Sequence, residues 1–376
     1  MYSKAFAPEY QGELRTVLGV NSSYEEVLTA AGEVRRTAGT PLERARASLA
    51  VGEANRRLGR ADEAGAAWRE SYRSAREAED RGAMAWALWS GGTLARQCGT
   101  LPLARRLLAH ALELAAGSGD RIAHGYCLAG LAETGRIQGD YEAVAAMHEE
   151  LLAQARAHGE ARHIVWALSG IAQIHRNTGS LDSALEMFEE SVRIATDGDD
   201  ARGRAWSLRG VADVLSAQGH TERALALLSE AEEICSRMNL TSAHAYAHKM
   251  RGNVLYRAGR YESARDVYTQ ALVEFRAMDE PRGVVLSRLG LVKSLHFLGR
   301  SAELTRRDLD ELEREVDRIG LGHAGKMIGI FRSQLSEYDA QLSEYGTGPS
   351  DYETRPSEYG TGPSESETGP SEYAAT

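Results

Sequence analysis

Cysteine is scarce in this chain. The 376 residues hold three, Cys98, Cys127 and Cys235, widely spaced and without a CxxC pair. That excludes a zinc ribbon, a dithiol redox pair and a disulfide framework, and it points to a reducing compartment. No apolar run approaches the ~20 residues needed to span a bilayer, and the opening MYSKAFAPEY lacks the apolar core of a secretory signal. The expectation is a soluble, cytoplasmic chain with no membrane partner. A basic surplus is also missing. The formal charge is -10, and residues 336–376 alone hold nine acids and one base, leaving the remainder near neutral. A generic nucleic-acid binder would show the opposite imbalance, so no nucleic-acid partner is expected. Phosphate-loop, dinucleotide, HExxH and GxSxG signatures are absent. No enzyme, catalytic residue, cofactor or metal centre is therefore expected.

What the chain has is repetition. Gly59, Gly99, Gly139, Gly179, Gly219, Gly259 and Gly299 fall 40 residues apart without a slip, and Gly19 extends the series backwards. Five residues after each stand Ala64, Ala104, Val144, Ala184, Ala224, Ala264 and Leu304; nine after stand large residues such as Trp68, Leu108, Phe188, Leu228 and Tyr268. Seven before the glycine is a small residue, as at Gly52, Gly92, Ala132, Ala172, Ala212 and Gly252. Apolar residues recur near every 3.6 positions on both sides of the glycine, which predicts a helical hairpin with the glycine as left-handed cap. Aspartate or serine soon after it, as in GSLDSALEMF, is read as the cap of the second helix. One hairpin cannot bury its apolar face alone, so the units are expected to stack into a solenoid.

The run AGRYESARDVYTQAL, ending at Leu272, resembles the second half of a tetratricopeptide repeat. The resemblance covers residues 41–320 well and 2–40 weakly, with 40 residues per unit against the family's 34. It implies a long-helix variant similar to kinesin light chains and bacterial signalling-peptide receptors. The fold expected is an all-α, right-handed superhelical solenoid of seven to eight hairpins. Its parts are a degenerate N-terminal repeat or cap at 1–40, seven hairpins at 41–320, a capping helix at 321–342 and a disordered acidic tail at 343–376.

The resemblance also implies that first helices line a concave groove. Mapped onto this chain, its positions give an aromatic column, Trp86, Tyr126, Trp166, Trp206 and Tyr246, and a basic column, Arg56, Arg96, Arg136 and Arg176, followed by Tyr256. Polar residues Glu133, Gln173, Asp213 and Asn253 lie between them, and Arg209 and Lys249 add positive charge. Aromatics offer contact area at little rotamer cost, and arginine a planar fork for carboxylates or carbonyls, so the columns fit a peptide-binding groove. They equally fit repeat-to-repeat packing and arginine–glutamate pairing.

From Ser336 a seven-residue period runs through SEYGTGP-type units, with Tyr338, Tyr345, Tyr352, Tyr359 and Tyr373 as its tyrosines. Without apolar a and d positions it is not a coiled coil. It could dock in the basic groove, accept modification, or serve only to solubilise. His244 and His248 share a helix face, but a third ligand is not evident from the sequence, and packing is the role expected for them. Glu149, Glu150 and His148 read as a solvated face. The function expected is a protein- or peptide-binding scaffold or regulator. The alternatives are a receptor for a small signalling peptide and a docking module whose tail is an enzyme's substrate. Neither ligand identity nor oligomeric state can be read from the residues.

Overall fold

The structure, a computed structural model, describes the backbone of residues 24–345 and the side chains of 24–337. Residues 1–23 and 346–376, and with them much of the N-terminal cap and most of the heptapeptide tail, lie outside the described residues. Sixteen helices and no strand occur among the described residues. Numbered in order they are α1 (Tyr24–Thr37), α2 (Pro41–Arg57), α3 (Ala61–Glu77), α4 (Arg81–Gln97), α5 (Leu101–Ser118), α6 (Arg121–Gln138), α7 (Tyr141–His158) and α8 (Ala161–Asn177). There follow α9 (Leu181–Asp197), α10 (Ala201–Ala217), α11 (Thr221–Arg237), α12 (Thr241–Arg257), α13 (Tyr261–Ala277), α14 (Pro281–Phe297), α15 (Ala302–Ile319) and α16 (Gly322–Tyr345). Pairs α2/α3 to α14/α15 form seven stacked antiparallel hairpins. No described helix is long and apolar enough to cross a membrane.

The turns have a shorter period than the glycines suggest. The seven glycines from 59 to 299 end first helices, and all have positive φ. Second helices end the same way at Glu79, Gly119, Gly159, Asp199, Asn239 and Asp279. A left-handed residue thus stands every 20 positions from 59 to 299, between helices of 17 or 18 residues. The capping expectation holds at Ser301, which accepts from Leu304 at the start of the second helix α15, but not in GSLDSALEMF. Ser180 starts the second helix α9 without a side-chain cap bond, whereas Asp80, Asp120 and Asp200 accept bonds from Ala83, Ala123 and Gly203 at the starts of first helices α4, α6 and α10. The first described hairpin opens with a full capping box, Thr40 with Glu43, and Pro41 at N1.

Successive hairpins lock by knobs on glycine. The Phe188 ring of α9 covers Gly210 of α10 so closely that a Cβ there would come within 2.2 Å of it; Tyr268 covers Gly290 in the same way. His148 occupies this knob position against Gly170 and is 3% exposed. It is therefore a core residue, while its neighbours Glu149 and Glu150 are exposed as expected.

The superhelix closes on itself. Gly59 lies against Met278, Gly99 against Pro281 and Ile319, and Gly139 against Lys326. Tyr141 Oη is 2.6 Å from His323 Nδ1, 182 residues on, and Lys326 Nζ donates to the Gly139 carbonyl at 3.3 Å. Leu101 and Ile137 share one buried apolar cluster with Leu286, Ile319, Leu321 and Met327. The concave face is thereby a lumen, walled by the first helices.

Left-handed geometry costs a residue with a Cβ about 1 kcal/mol. Glu79→Gly should accordingly stabilise the fold by about 1 kcal/mol, and Gly259→Ala, where no neighbour obstructs a Cβ, should destabilise it by about as much. Urea denaturation midpoints check both.

Candidate functional site

The lumen holds a cavity of about 270 Å³. Arg56, Arg96, Glu133, Arg136, Gln173, Arg176, Trp206, Arg209, Asp213, Tyr246, Lys249 and Asn253 all line it. A smaller adjoining recess of about 90 Å³ adds Tyr126, Trp166 and His148. Two anticipated residues fall outside these walls. Trp86 is fully buried, donates Nε1–H to Asp120 at 2.9 Å and meets the Trp89 ring edge-on. Tyr256 packs against Tyr261 and Phe297. Side chains of Tyr338 and Tyr345 are not described, and Tyr352, Tyr359 and Tyr373 lie outside the described residues.

The aromatic column packs in two runs. Tyr126 contacts Trp86 at 5.0 Å and Trp166 at 4.8 Å between ring centroids. Arg209 then bridges Trp206 and Tyr246, lying 5.8 and 5.7 Å from their rings. This spine packs repeat on repeat; only Trp166, Trp206 and Tyr246 keep partial exposure and a face to the cavities.

The arginine column divides into paired and unpaired members. Arg56 grips Glu53 at 2.7 and 3.1 Å, and Ser90 also donates to that carboxylate. Arg136 holds Glu133 in the same two-pronged way at 2.7 and 2.8 Å. Arg176 reaches forward to Asp213, 3.1 Å away, which Arg257 also binds. Arg96 has no such partner. Three residues before it stands Thr93 where the neighbouring repeats have Glu53 and Glu133, and among the described residues its one hydrogen bond runs to the Gly130 carbonyl at 3.3 Å.

A second arginine column was missed from sequence. Arg162, Arg202 and Arg282 share one register, broken at Ser242. The 40-residue spacing was there to be found, but three members with a gap are easily lost among 44 basic residues. Arg162 binds Asp200 at 3.2 Å and Tyr126 Oη at 3.1 Å. Arg282 crosses the lumen to within 3.6 Å of Glu133 and lies over the Tyr246 ring. Arg202 makes no hydrogen bond or ion pair with any described residue, although it lines both cavities.

Nine cationic side chains line the larger cavity against three carboxylates, Glu133, Asp213 and Glu280. Burial would raise the Glu133 pKa, but Arg136, Arg282 and Arg96 outweigh it and hold the carboxyl at about 2. Burial pushes the Arg96 guanidinium down to about 10, and repulsion from Arg56, Arg282 and Arg136 adds to the fall. Burial also lowers Arg202, with Arg57 and Arg56 adding repulsion, and lowers Arg209. Burial raises Glu280, which weakens one of the few negative charges present. The lumen is thus a partly desolvated, cation-rich enclosure whose arginines outnumber their counter-ions.

Two stretches, residues 163–237 and 245–276, match family models of the tetratricopeptide repeat. No curated protein matches the chain in sequence. Solved structures resemble it in fold. The Rap conjugation gene regulator of the plasmid pLS20, in complex with the Phr* peptide, is 15% identical with a TM-score of 0.60, over 74% of this chain and 75% of its own. A Rap protein complexed with competence and sporulation factor is 14% identical with a TM-score of 0.58, over 80% and 87%. Aspartyl phosphate phosphatase F from Bacillus subtilis is 12% identical with a TM-score of 0.50, over 87% and 91%. At these identities the likeness establishes the fold and leaves the ligand open.

Removing one partner of a buried ion pair costs about 3 kcal/mol, because the other charge stays buried. Arg136→Gln should therefore lower stability by about 3 kcal/mol at pH 7. Arg96→Gln, which removes a charge that has no close ion pair among the described residues and only a longer-range attraction to Glu133, should change the melting temperature far less. Because the Glu133 pKa is depressed, its contribution is present above the ordinary 4.5 and is lost as pH falls toward 2. Thermal melts at pH 7 and pH 3 should show the Arg136→Gln deficit shrinking at the lower pH.

Proposed function

We propose that this tetratricopeptide-repeat chain is a receptor that holds an acidic peptide segment in its lumen. The observation that carries the reading is the convergence of Arg96, Arg202 and Arg209 in a cavity lined by nine cations and three carboxylates. Buried charge without a counter-ion is unfavourable, and a ligand carboxylate would relieve it through charge-assisted bonds. Exposed faces of Trp166, Trp206 and Tyr246 supply flat apolar contact beside those charges, and Gln173 offers an amide to a ligand backbone. Two proteins of similar fold were solved with a peptide or factor bound, which supports a peptide in this lumen. A third is a phosphatase, but we assign no catalytic group here and read the chain as a binder.

The cavity falls just below the 300–1,000 Å³ usual for ligand pockets. Admission of a peptide then requires the seam between the ends of the superhelix to widen. In this reading the ligand acts on a partner protein by changing the twist of the solenoid.

A second reading makes the chain's own tail the ligand. Helix α16 begins at the lumen, where His323 and Met327 line the cavity, and leads into the acidic heptapeptide units. The ~30 residues beyond Tyr345 can extend to about 100 Å, ample to return along the ~36 Å helix. Tethering places such a segment at roughly millimolar effective concentration.

A peptide array graded in net charge is expected to show binding that rises with carboxylate content. Arg96→Glu/Arg202→Glu should weaken the best peptide at least about 30-fold, equivalent to about 2 kcal/mol for a desolvated charge contact. Equal affinity for acidic and basic peptides would end the proposal. Deleting 346–376 should tighten the binding of an added acidic peptide if the tail competes. Unchanged affinity removes the tail reading and leaves the groove reading intact.

A further inference from the structure

The sixth hairpin departs from its neighbours on the flank away from the lumen. In the fourth hairpin Leu168 of α8 and Ile194 of α9 are buried in one apolar cluster. In the fifth, Leu208 of α10 and Ile234 of α11 share another. Forty residues on, the same two positions are His248 of α12 and Glu274 of α13. One turn before His248, on the same face, stands His244, where the fourth hairpin buries Ile164. An apolar pair has been replaced by a polar one where the two preceding hairpins pack leucine on isoleucine, and a third polar group stands one turn away. Such an exchange forfeits buried apolar area and desolvates polar atoms, so it favours the fold only through what those atoms bind.

We propose that His244, His248 and Glu274 form a binding site for a divalent transition-metal ion of the zinc type. One donor atom from each residue lies within 4.8 Å of the other two. His248 Nδ1 is 2.9 Å from both Glu274 carboxylate oxygens, already close to the bite two ligands of one tetrahedral ion require. The His244 and His248 rings meet at 4.3 Å, so a small rotation of His244 completes a three-cornered set. Imidazole and carboxylate are ligands that zinc accepts at about 2.0–2.2 Å, and two histidines at i and i+4 are a spacing helices offer to it. Around the three, Gln270 Nε2 donates to Glu274 at 3.1 Å and orients the carboxylate. Glu232 of α11 faces both histidines and adds negative potential, while Arg251 holds its carboxylate in place at 2.6 Å. All three ligands are half-buried, so a bound ion keeps at least one coordination position open to solvent. With no metal bound, the His248–Glu274 hydrogen bond raises the histidine's proton affinity; an ion would take that proton's place.

The test uses the full chain without an affinity tag. Calorimetric titration with zinc chloride is expected to give one site per chain, with a Kd in the micromolar range or tighter. Zinc should also raise the melting temperature. Glu274→Gln and His244→Ala should each weaken the site at least tenfold. His248→Leu restores the residue type of the preceding repeats; it should fold at least as stably as the parent and lose the zinc-dependent rise. Cobalt substitution should give the visible bands of a four- or five-coordinate ion without the near-ultraviolet thiolate band that Cys98, Cys127 or Cys235 would produce. The proposal is overturned by the absence of saturable binding below millimolar zinc. Binding that survives all three substitutions, or that carries a thiolate band, overturns it equally.

Discussion

Every feature of this molecule depends on the left-handed residue that recurs at 20-position intervals. Within the array it ends each helix after 17 or 18 residues, so each reversal returns the chain to the same level and the hairpins stack in register. With register held over seven hairpins, a residue at one position meets its 40-residue neighbours at a constant offset. That is how Tyr126 comes to bridge Trp86 and Trp166, and how Phe188 and Tyr268 each find a glycine in the following hairpin. Slippage by one residue occurs only at the end. Helix α15 starts at Ala302, its left-handed residue is Gly320, and the array there passes to α16.

Register also explains why the charge of the lumen is uneven. Where glutamate stands three residues before arginine, as at Glu53 and Glu133, the pair closes on itself and serves the wall. Where threonine or glutamine replaces the acid, at Thr93 and Gln173, the arginine must look elsewhere. Arg176 finds Asp213 in the next hairpin, and Arg96, among the described residues, hydrogen-bonds to a carbonyl alone. The wall and the binding surface are thus drawn from one column, and the residue three positions earlier decides which role each arginine takes.

The hairpin repeat could be read in the residues because glycine marks every first-helix end. Second-helix ends were harder to see, because Glu79, Asp199, Asn239 and Asp279 adopt the same backbone without being glycine. The groove columns were legible as columns, and twelve of their sixteen members line the main cavity. Whether a column member faces the cavity or the core was not, since Trp86 and Trp206 differ in surroundings and not in residue type. Closure of the superhelix left no local signal. It accumulates from small rotations at each hairpin contact, and the residues that meet at the seam, such as Gly59 with Met278 or Tyr141 with His323, belong to segments with no shared pattern.

That seam changes how stability is distributed. An open solenoid behaves as a line, each repeat coupled to two neighbours and the end repeats free to fray. Here Tyr141 and Gly139 are tied to α16, and Gly99 to the start of α14. The ends are therefore interior in the energetic sense, and loss of the last hairpin strips an interface from the second as well as the sixth. Unfolding should approach a single cooperative event rather than a progressive unzipping. Folding must bear the entropy of joining segments 182 residues apart before that cooperativity is gained.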